Sequence, residues 1–504
     1  MSTAASVTES IPCPNYIDGQ WVASRSGHSL ERRNPADRRD LIGHAPLSSR
    51  EEVDEAVEAA SRAFPAWRDT PAPARGKIVL RAARLIEEQT EEFARLLTRE
   101  EGKTLAESRG EIQRSVNILE FTAGEGRRLT GETLPSELRH NFAYTLRQPL
   151  GVVGLITPWN FPVAVPVWKI APALVCGNTI IWKPSELTPF TSRRLVELFV
   201  AAGVPAGVLN LVHGQGPEAG DELVRHPTVR GISFTGSSQV GSAIYAIAAV
   251  QMKKVQCEMG GKNPVVVADD ADLDLAAAAT VSGAFGSTGQ RCTATSRLVV
   301  VDSVANRLLD KILERTDKLK VGNGAEPGTD VGPSVDESQF NKVQEYLEIG
   351  KHEAGSLVCG GKPLRGTADS ALDHGYFTPP TIFDHVQPGA RVAQEEIFGP
   401  VLSLIRAKDF YDAIDIANDI PYGLTASVFT GDASRAFEAA ELLEVGMVHV
   451  NSPTVGGEAH VPFGGIKATG VGERETGSTA IDFYSELKVV YVDYTGHKRE
   501  GKLY

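Results

Sequence analysis

The 504-residue sequence predicts a multidomain α/β protein. Three observations carry that expectation. Short, wholly apolar runs such as Val152–Ile156 and Val265–Val267 alternate with helical stretches, the pattern of parallel strands buried on both faces. A chain this long exceeds one hydrophobic core, so two or three domains are expected. Phe234-Thr-Gly-Ser-Ser-Gln-Val-Gly241 follows one apolar run and opens a helical stretch, a turn that presents backbone N–H groups to an anion.

Residues 1 to about 14 read as a loose tail. Asn15-Tyr-Ile-Asp-Gly-Gln-Trp-Val22 reads as a hairpin turning at Asp18-Gly19. Ser49-Arg-Glu-Glu52 is a capping-box pattern. Val53, Ala56, Val57, Ala60 and Phe64 then recur at helical spacing, and Pro65 is expected to end the run. Helices continue over 74–124 with Leu80, Ala83, Leu85 and Ile86 on one stripe, the charged remainder reading as a solvated face. Asn141–Gln148 and Leu487–Tyr494 read as strands with no neighbour in sequence to pair with, and exposed edges need partners.

From 150 to about 267 the pattern is βαβ, with strands at Val152–Ile156, Thr179–Trp182, Val208–Val212, Gly231–Phe234 and Val265–Val267. A second α/β unit follows to about 460, with strands Arg297–Val301, Val401–Ile405, Ala426–Thr430 and Met447–Asn451 and a helix Ala436–Leu443.

The net charge of −13 argues against nonspecific nucleic-acid binding or an anionic membrane surface. Five cysteines, none in a CxxC pair or at metal-ligand spacing with His, point to a reducing compartment with neither disulfides nor a metal. The N-terminus lacks a signal-peptide pattern, and no apolar run approaches the ~18 residues that span a bilayer, so a cytoplasmic protein is expected.

Cys292 lies in Phe285-Gly-Ser-Thr-Gly-Gln-Arg-Cys-Thr-Ala-Thr-Ser-Arg297, among glycines and small hydroxyls that leave a thiol accessible. Alone, a free cysteine is most often a small buried hydrophobe. A helix starting after Gly289 would place Cys292 in its first turn, where the dipole and Arg291 favour the thiolate. Upstream, Cys257-Glu-Met-Gly-Gly-Lys-Asn-Pro264 sets a carboxylate before a Gly-Gly turn.

These stretches do not stand alone. With Pro158-Trp-Asn-Phe-Pro162, Lys183-Pro-Ser-Glu186, Phe234–Gly241, Glu395-Glu-Ile-Phe-Gly-Pro400 and Pro462-Phe-Gly-Gly465, their order and spacing resemble the NAD(P)-dependent aldehyde dehydrogenase superfamily, from about Asn15 to Tyr494. The resemblance implies a Rossmann-type cofactor domain (1–124 and 148–260), an α/β catalytic domain (261–468) and a small β oligomerisation flap (125–147 and 483–504). The flap strands would pair across subunits of a homodimer or homotetramer.

It also implies roles. Cys292 matches the nucleophile, because a thioester is easy both to form and to hydrolyse. Asn160 matches the side chain that holds the oxyanion, with the Cys292 N–H as its partner. Glu258 matches the general base, its pKa raised in a closed apolar pocket. Glu475 resembles a proton-relaying carboxylate, although the extra Glu473 disturbs the register, and Lys169 resembles a lysine near the site. Surface or structural charge is an equal reading for both. For the cofactor, the implied set is Ile156, Thr157 and Trp159 after the first strand; Lys183, Ser185 and Glu186 after the second; Gly216; Phe234, Thr235, Gly236, Ser237 and Gly241 around the strand-to-helix turn; and Gly260, Glu396 and Phe398. Glu186 would accept from a ribose 2′-OH and repel a 2′-phosphate, while Lys183 tolerates one, so NAD is expected with NADP possible.

The resemblance implies a small-molecule aldehyde as substrate. Trp168 stands where succinate-semialdehyde enzymes usually carry an arginine, which argues against that substrate. The continuous wording around Asn160, Glu258 and Cys292 is similar to 2-oxoglutarate-semialdehyde dehydrogenases. The loop Pro453-Thr-Val-Gly-Gly-Glu-Ala-His460, expected at the substrate entrance, departs from that group. An aminoaldehyde, betaine aldehyde or aromatic aldehyde stays open, as does a CoA-acylating enzyme, although the latter usually lacks the Glu258 carboxylate.

Overall fold

Alternation along Val152–Ile156 sorts its side chains onto two faces. Val153 and Leu155 join one apolar cluster, and Val152 and Ile156 join another. The same sorting recurs downstream, where Val266 and Val299 face one cluster and Val265, Val267, Leu298 and Val300 face the other. Strands apolar on both faces demand a cover on each side, and helices supply it. The computed structural model describes residues 11–353, 355–364 and 371–496.

The first sheet has a five-stranded parallel centre in the spatial order Leu209–Leu211, Thr179–Lys183, Val152–Ile156, Val229–Thr235, Lys254–Glu258. Numbered along the chain this is 3-2-1-4-5, the doubly wound order, with its topological switch between Val152–Ile156 and Val229–Thr235. The hairpin Asn15–Ile17/Gln20–Val22 closes one edge and Gly470–Val471 the other, both antiparallel. The second sheet runs Ser356–Cys359, Thr381–Asp384, Val401–Ala407, Thr295–Val301, Asn263–Val267, Thr425–Phe429, Met447–Val450, parallel except at its first strand. The run at 265–267 therefore belongs to this second sheet, although sequence placed it at the end of the first βαβ series. No described helix is long and apolar enough to cross a membrane.

Four local expectations need correction. The expected tail at residues 1 to about 14 falls outside the described residues up to 10. Beyond that it is not loose: the Ile11 N–H donates to the Ile42 carbonyl at 3.0 Å, and Cys13 is buried. Pro65 does not end its helix. The capping box at Ser49 forms as expected, and the helix runs Arg50–Asp69 with the proline inside. A proline there loses the N–H bond to the preceding turn and crowds the carbonyl four residues back, a cost of about 3 kcal/mol; the buried face of Val53, Ala56, Val57, Ala60 and Trp67 outweighs it. The charged residues of 74–124 are not all solvated. Arg75, Glu100, Glu101, Lys103 and Glu111 are buried.

Finally, the two strands expected to lack partners pair with each other. Ser485–Asp493 lies antiparallel to Asn141–Pro149 along its whole length, and Thr133–Leu134 adds a third strand. The pairing is legible only in three dimensions, since more than 300 residues separate them. What stays open is the outer edge, where Leu487 is 59% and Tyr491 70% exposed.

Candidate active site

The two central strands of the first sheet end in the crevice at the switch point. The chain leaves Ile156 through Thr157 and Pro158 and reaches Asn160, whose backbone is held from behind. Lys103 Nζ donates to the Asn160 carbonyl at 2.6 Å and to Glu111 Oε2 at 2.6 Å, and it lies 4.2 Å from the Phe161 ring centre. The other oxygen of Glu111 accepts from the N–H groups of Val163 and Ala164, at 2.8 and 3.1 Å. Glu111 thus satisfies free donors at the start of the helix Ala164–Cys176. The Asn160 side chain donates to the Gln290 carbonyl at 3.0 Å, which aims it at the Cys292 loop.

No helix begins at Cys292. Ser287, Thr288 and Gly289 take positive φ values of 49°, 60° and 69°, which breaks the preceding helix and leaves Cys292 in a turn. Glu107 supports this strained backbone by accepting from the Ser287 N–H at 2.5 Å, and Thr288 donates to the Gly332 carbonyl at 3.0 Å. Gly289 is required for contact as well, since a Cβ there would lie 2.2 Å from the Gly399 carbonyl oxygen. Arg291, expected to favour the thiolate, instead pairs with Glu107 at 3.2 Å. The thiol's pKa is pushed up to about 12, first by burial and then by Glu258, with Arg114 opposing. That direction favours the neutral thiol, against the expectation from the sequence.

Glu258 ends the strand Lys254–Glu258 and is buried. The Gly465 N–H bonds its carboxylate, while Oε2 has no partner among the described residues. Burial pushes its pKa well up and Glu475 adds to this, with Lys169 and Arg474 opposing. Glu475 is no surface carboxylate. It is buried against Lys169, whose Nζ also donates to Ser233 Oγ at 2.8 Å. The extra Glu473 lies outside that pair, 3.5 Å from Lys254.

One cavity of about 200 Å³ is lined by Cys292, Asn160, Glu258, Trp159, Thr235, Gly236, Ser237, Gly260, Glu396 and Phe398. Trp159 and Phe398 meet edge to face at 5.4 Å. Glu396, its pKa raised by burial, accepts from the Gly261 N–H at 3.0 Å. It reaches Gly260 so closely that a Cβ there would lie 2.2 Å from Oε2. Ser237 caps the helix Ser238–Val250 through its Oγ, and Gly241 sits over Met259 and the Phe234 ring.

The remaining expected residues lie outside that cavity. Thr157 Oγ1 accepts from Trp182 Nε1 at 2.9 Å at the end of the first strand, beside Ile156. Lys183 is 3.7 Å from Glu186, and burial lowers its pKa while Glu186 opposes. Ser185 Oγ accepts from the Leu187 N–H at 3.2 Å. Gly216 opens a helical turn ending at Gly220, which lies against the Lys183 side chain. Lys169 and Glu475 stand behind Glu258.

A segment absent from the sequence-based list completes the wall. Arg114, on the helix Leu105–Glu125, lines the cavity with Trp168 and Phe463. Its guanidinium carbon is 5.3 Å from the Trp168 ring centre and 6.0 Å from that of Phe463, and the two rings are 5.3 Å apart. Helical periodicity offered no signal for it, because Arg114 sits where the pattern reads as solvated.

The model of the aldehyde dehydrogenase family matches residues 21–490. The chain belongs to that family. It is an oxidoreductase acting on aldehydes with a nicotinamide dinucleotide. It is 44% identical over 486 residues to an alpha-ketoglutaric semialdehyde dehydrogenase of Bacillus subtilis, covering 96% of this chain and 99% of the relative. It is also 44% identical over 475 residues to a 2,5-dioxopentanoate dehydrogenase of Saccharolobus solfataricus, covering 94% and 98%. A betaine aldehyde dehydrogenase from Staphylococcus aureus solved in complex with NAD+ superposes with a TM-score of 0.94 at 34% identity, covering 98% of this chain and 97% of that one. The aldehyde dehydrogenase crevice here fits such a cofactor. Thr235 Oγ1 and Ser238 Oγ are buried beside the strand-to-helix turn without partners among the described residues, as donors awaiting an anion would be.

Proposed function

We propose that this aldehyde dehydrogenase oxidises 2-oxoglutarate semialdehyde to 2-oxoglutarate with NAD and water. The observation that carries the reaction is the one cavity in which Cys292, Asn160 and a partnerless Glu258 oxygen meet. The likeness to two relatives named for this substrate supports its choice. Cys292 gives its thiol proton to solvent, its sulfur adds to the aldehyde carbon, and the Asn160 amide and the Cys292 N–H hold the oxyanion, each such donor worth about 10²–10³ in rate. When bound, the nicotinamide accepts a hydride from that carbon, which leaves an acyl thioester on Cys292. Glu258 then takes a proton from water as the water attacks the thioester, and the acid leaves. Lys169 and Glu475, buried behind Glu258, carry its proton onward. The test is NADH absorbance at about 340 nm with an aldehyde panel, NAD or NADP, and with or without CoA. A CoA-dependent product would defeat the hydrolytic reading.

Lys183, Ser185, Glu186 and Gly216 form the adenosine end of the cofactor site, with Ile156, Thr157, Phe234 and Gly241 shaping the crevice between. Glu186, with its side chain 36% exposed, faces the ribose 2′ position. Glu186→Ser is expected to lower the NAD-to-NADP preference by about tenfold in kcat/KM, because repulsion of a 2′-phosphate is lost. An unchanged ratio would remove Glu186 from the ribose.

In this reading residues 1–124 and 148–260 form the cofactor domain, 261–468 the catalytic domain, and 125–147 with 483–504 a flap. The protein is cytoplasmic and a homodimer or homotetramer. The exposed edge at Ser485–Asp493 and the exposed Val240, Tyr245, Val250 and Met252 near one helix support assembly. Truncation after Ser485 strips Asn141–Pro149 of its partner. Sedimentation of that form is expected to show monomers or aggregates, and an unchanged oligomer would place the interface elsewhere.

A further inference from the structure

We infer that Arg114 is the anchor for the substrate's distal carboxylate and sets the preference of this site for acid aldehydes. The inference rests on the proposed reaction at Cys292 and names what recognises the far end of its substrate. Arg114 shares the cavity wall with Cys292, yet no hydrogen bond or ion pair to a described residue holds its guanidinium, and its Nε is buried without a partner. Arg114 is half-buried, its fork open to the cavity, and a carboxylate is the ligand whose two oxygens match that planar fork. The residues around it supply no such carboxylate. Glu111 is engaged by Lys103 and by the backbone at Val163 and Ala164.

Its position is also fixed from three sides. The Trp168 and Phe463 rings hold the guanidinium by cation–π contact, at 5.3 and 6.0 Å. Gly457, in the loop Pro453–His460, lies so near that a Cβ there would be 2.9 Å from Nη2. The start of that loop is pinned beside the catalytic turn, where Thr454 Oγ1 donates to the Thr293 carbonyl at 2.8 Å. Arg114 thus stands between the reacting sulfur's wall and the loop expected at the substrate entrance. Burial lowers its pKa, a sign of a charge kept from water without full compensation.

This placement separates two substrate classes that Trp168 alone left open. A quaternary-ammonium aldehyde needs the aromatic faces for itself and no cation beside them. Here an arginine already occupies those faces, so a cationic substrate meets repulsion. An aldehyde ending in a carboxylate meets a counter-charge instead.

The test compares the wild type and Arg114→Gln on paired aldehydes of equal length, one ending in carboxylate and one in methyl, with 2-oxoglutarate semialdehyde included. The expected result is a roughly hundredfold fall in the ratio of kcat/KM for the acid over the neutral aldehyde, residing mainly in KM. Calorimetric titration with the product 2-oxoglutarate reads binding apart from turnover, and its Kd is expected to rise by a similar factor. Should Gln at 114 fail to fold, Arg114→Lys keeps the charge but loses the fork, and a fall of about tenfold is expected. A wild type that prefers acid aldehydes while either variant keeps that preference and its product affinity would overturn the anchor and leave the proposed function standing. A wild type that prefers the neutral or cationic aldehyde would overturn the proposed substrate itself.

Discussion

Cys292→Ala is expected to abolish aldehyde oxidation, by a factor on the order of 10⁴ or more, because no covalent intermediate can then form. NAD affinity, measured by equilibrium titration, should stay close to that of the parent, since Lys183, Ser185 and Glu186, proposed for the adenosine end, lie outside the cavity that Cys292 lines. Cys257→Ala and Cys359→Ala should keep turning over. Cys257 faces the core beneath the sheet, and Cys359 lies on the edge strand of the second sheet. Substantial turnover by Cys292→Ala would remove the covalent mechanism altogether. The resting thiol adds a sharper check. Its pKa of about 12 leaves little thiolate at neutral pH, so alkylation of Cys292 in the cofactor-free protein should be slow at pH 7. The rate should rise about tenfold per pH unit while pH stays below that pKa. A rapid, pH-independent alkylation would mean that the thiolate is already formed.

Much of this arrangement could be read before any coordinates. Val152–Ile156 was legible because every residue is apolar, and a parallel strand covered on both faces has no other look. Asn160, Glu258 and Cys292 were legible as members of stretches whose wording and spacing repeat across a family. Their convergence on one cavity was not, because it depends on where three loops end. Arg114 was hidden for a physical reason. Periodicity ranks side chains by polarity, and an arginine opposite an apolar stripe is read as wet. Here the opposite face meets Trp168 and Phe463 instead of water. Lys103 and Glu111 were hidden in the same way, since their charges are satisfied by the backbone of a distant turn. The Cys292 turn was misread because glycine spacing marks where a helix breaks but not whether another begins. Glu475 was doubtful from its neighbours in sequence, which carry no sign that it is buried against Lys169.

Glu258→Gln separates acylation from deacylation. One equivalent of NADH per site should form rapidly, followed by a steady rate lower by about 10²–10⁴, because water then attacks the thioester without a base. Glutamine keeps the shape and the Gly465 contact but cannot take the proton that the partnerless Oε2 is placed to take. The pH dependence follows from the direction of the shift. Burial and Glu475 raise the Glu258 pKa, so its carboxylate is lost on acidification earlier than an ordinary glutamate would be. Wild-type deacylation should therefore fall on acidification at a higher pH than an ordinary glutamate would set, and the residual rate of Glu258→Gln should lack that limb. The same substitution has a second consequence at the sulfur. Glu258 is, after burial, the next largest cause that raises the Cys292 pKa, so removing its charge lowers that pKa. Alkylation of Cys292 at pH 7 should then be faster in Glu258→Gln than in the parent, even though turnover is slower. A variant that turns over steadily without a burst would show that another group activates the water. Slower alkylation would show instead that Glu258 assists the thiol's ionisation, which would move the base to the acylation step.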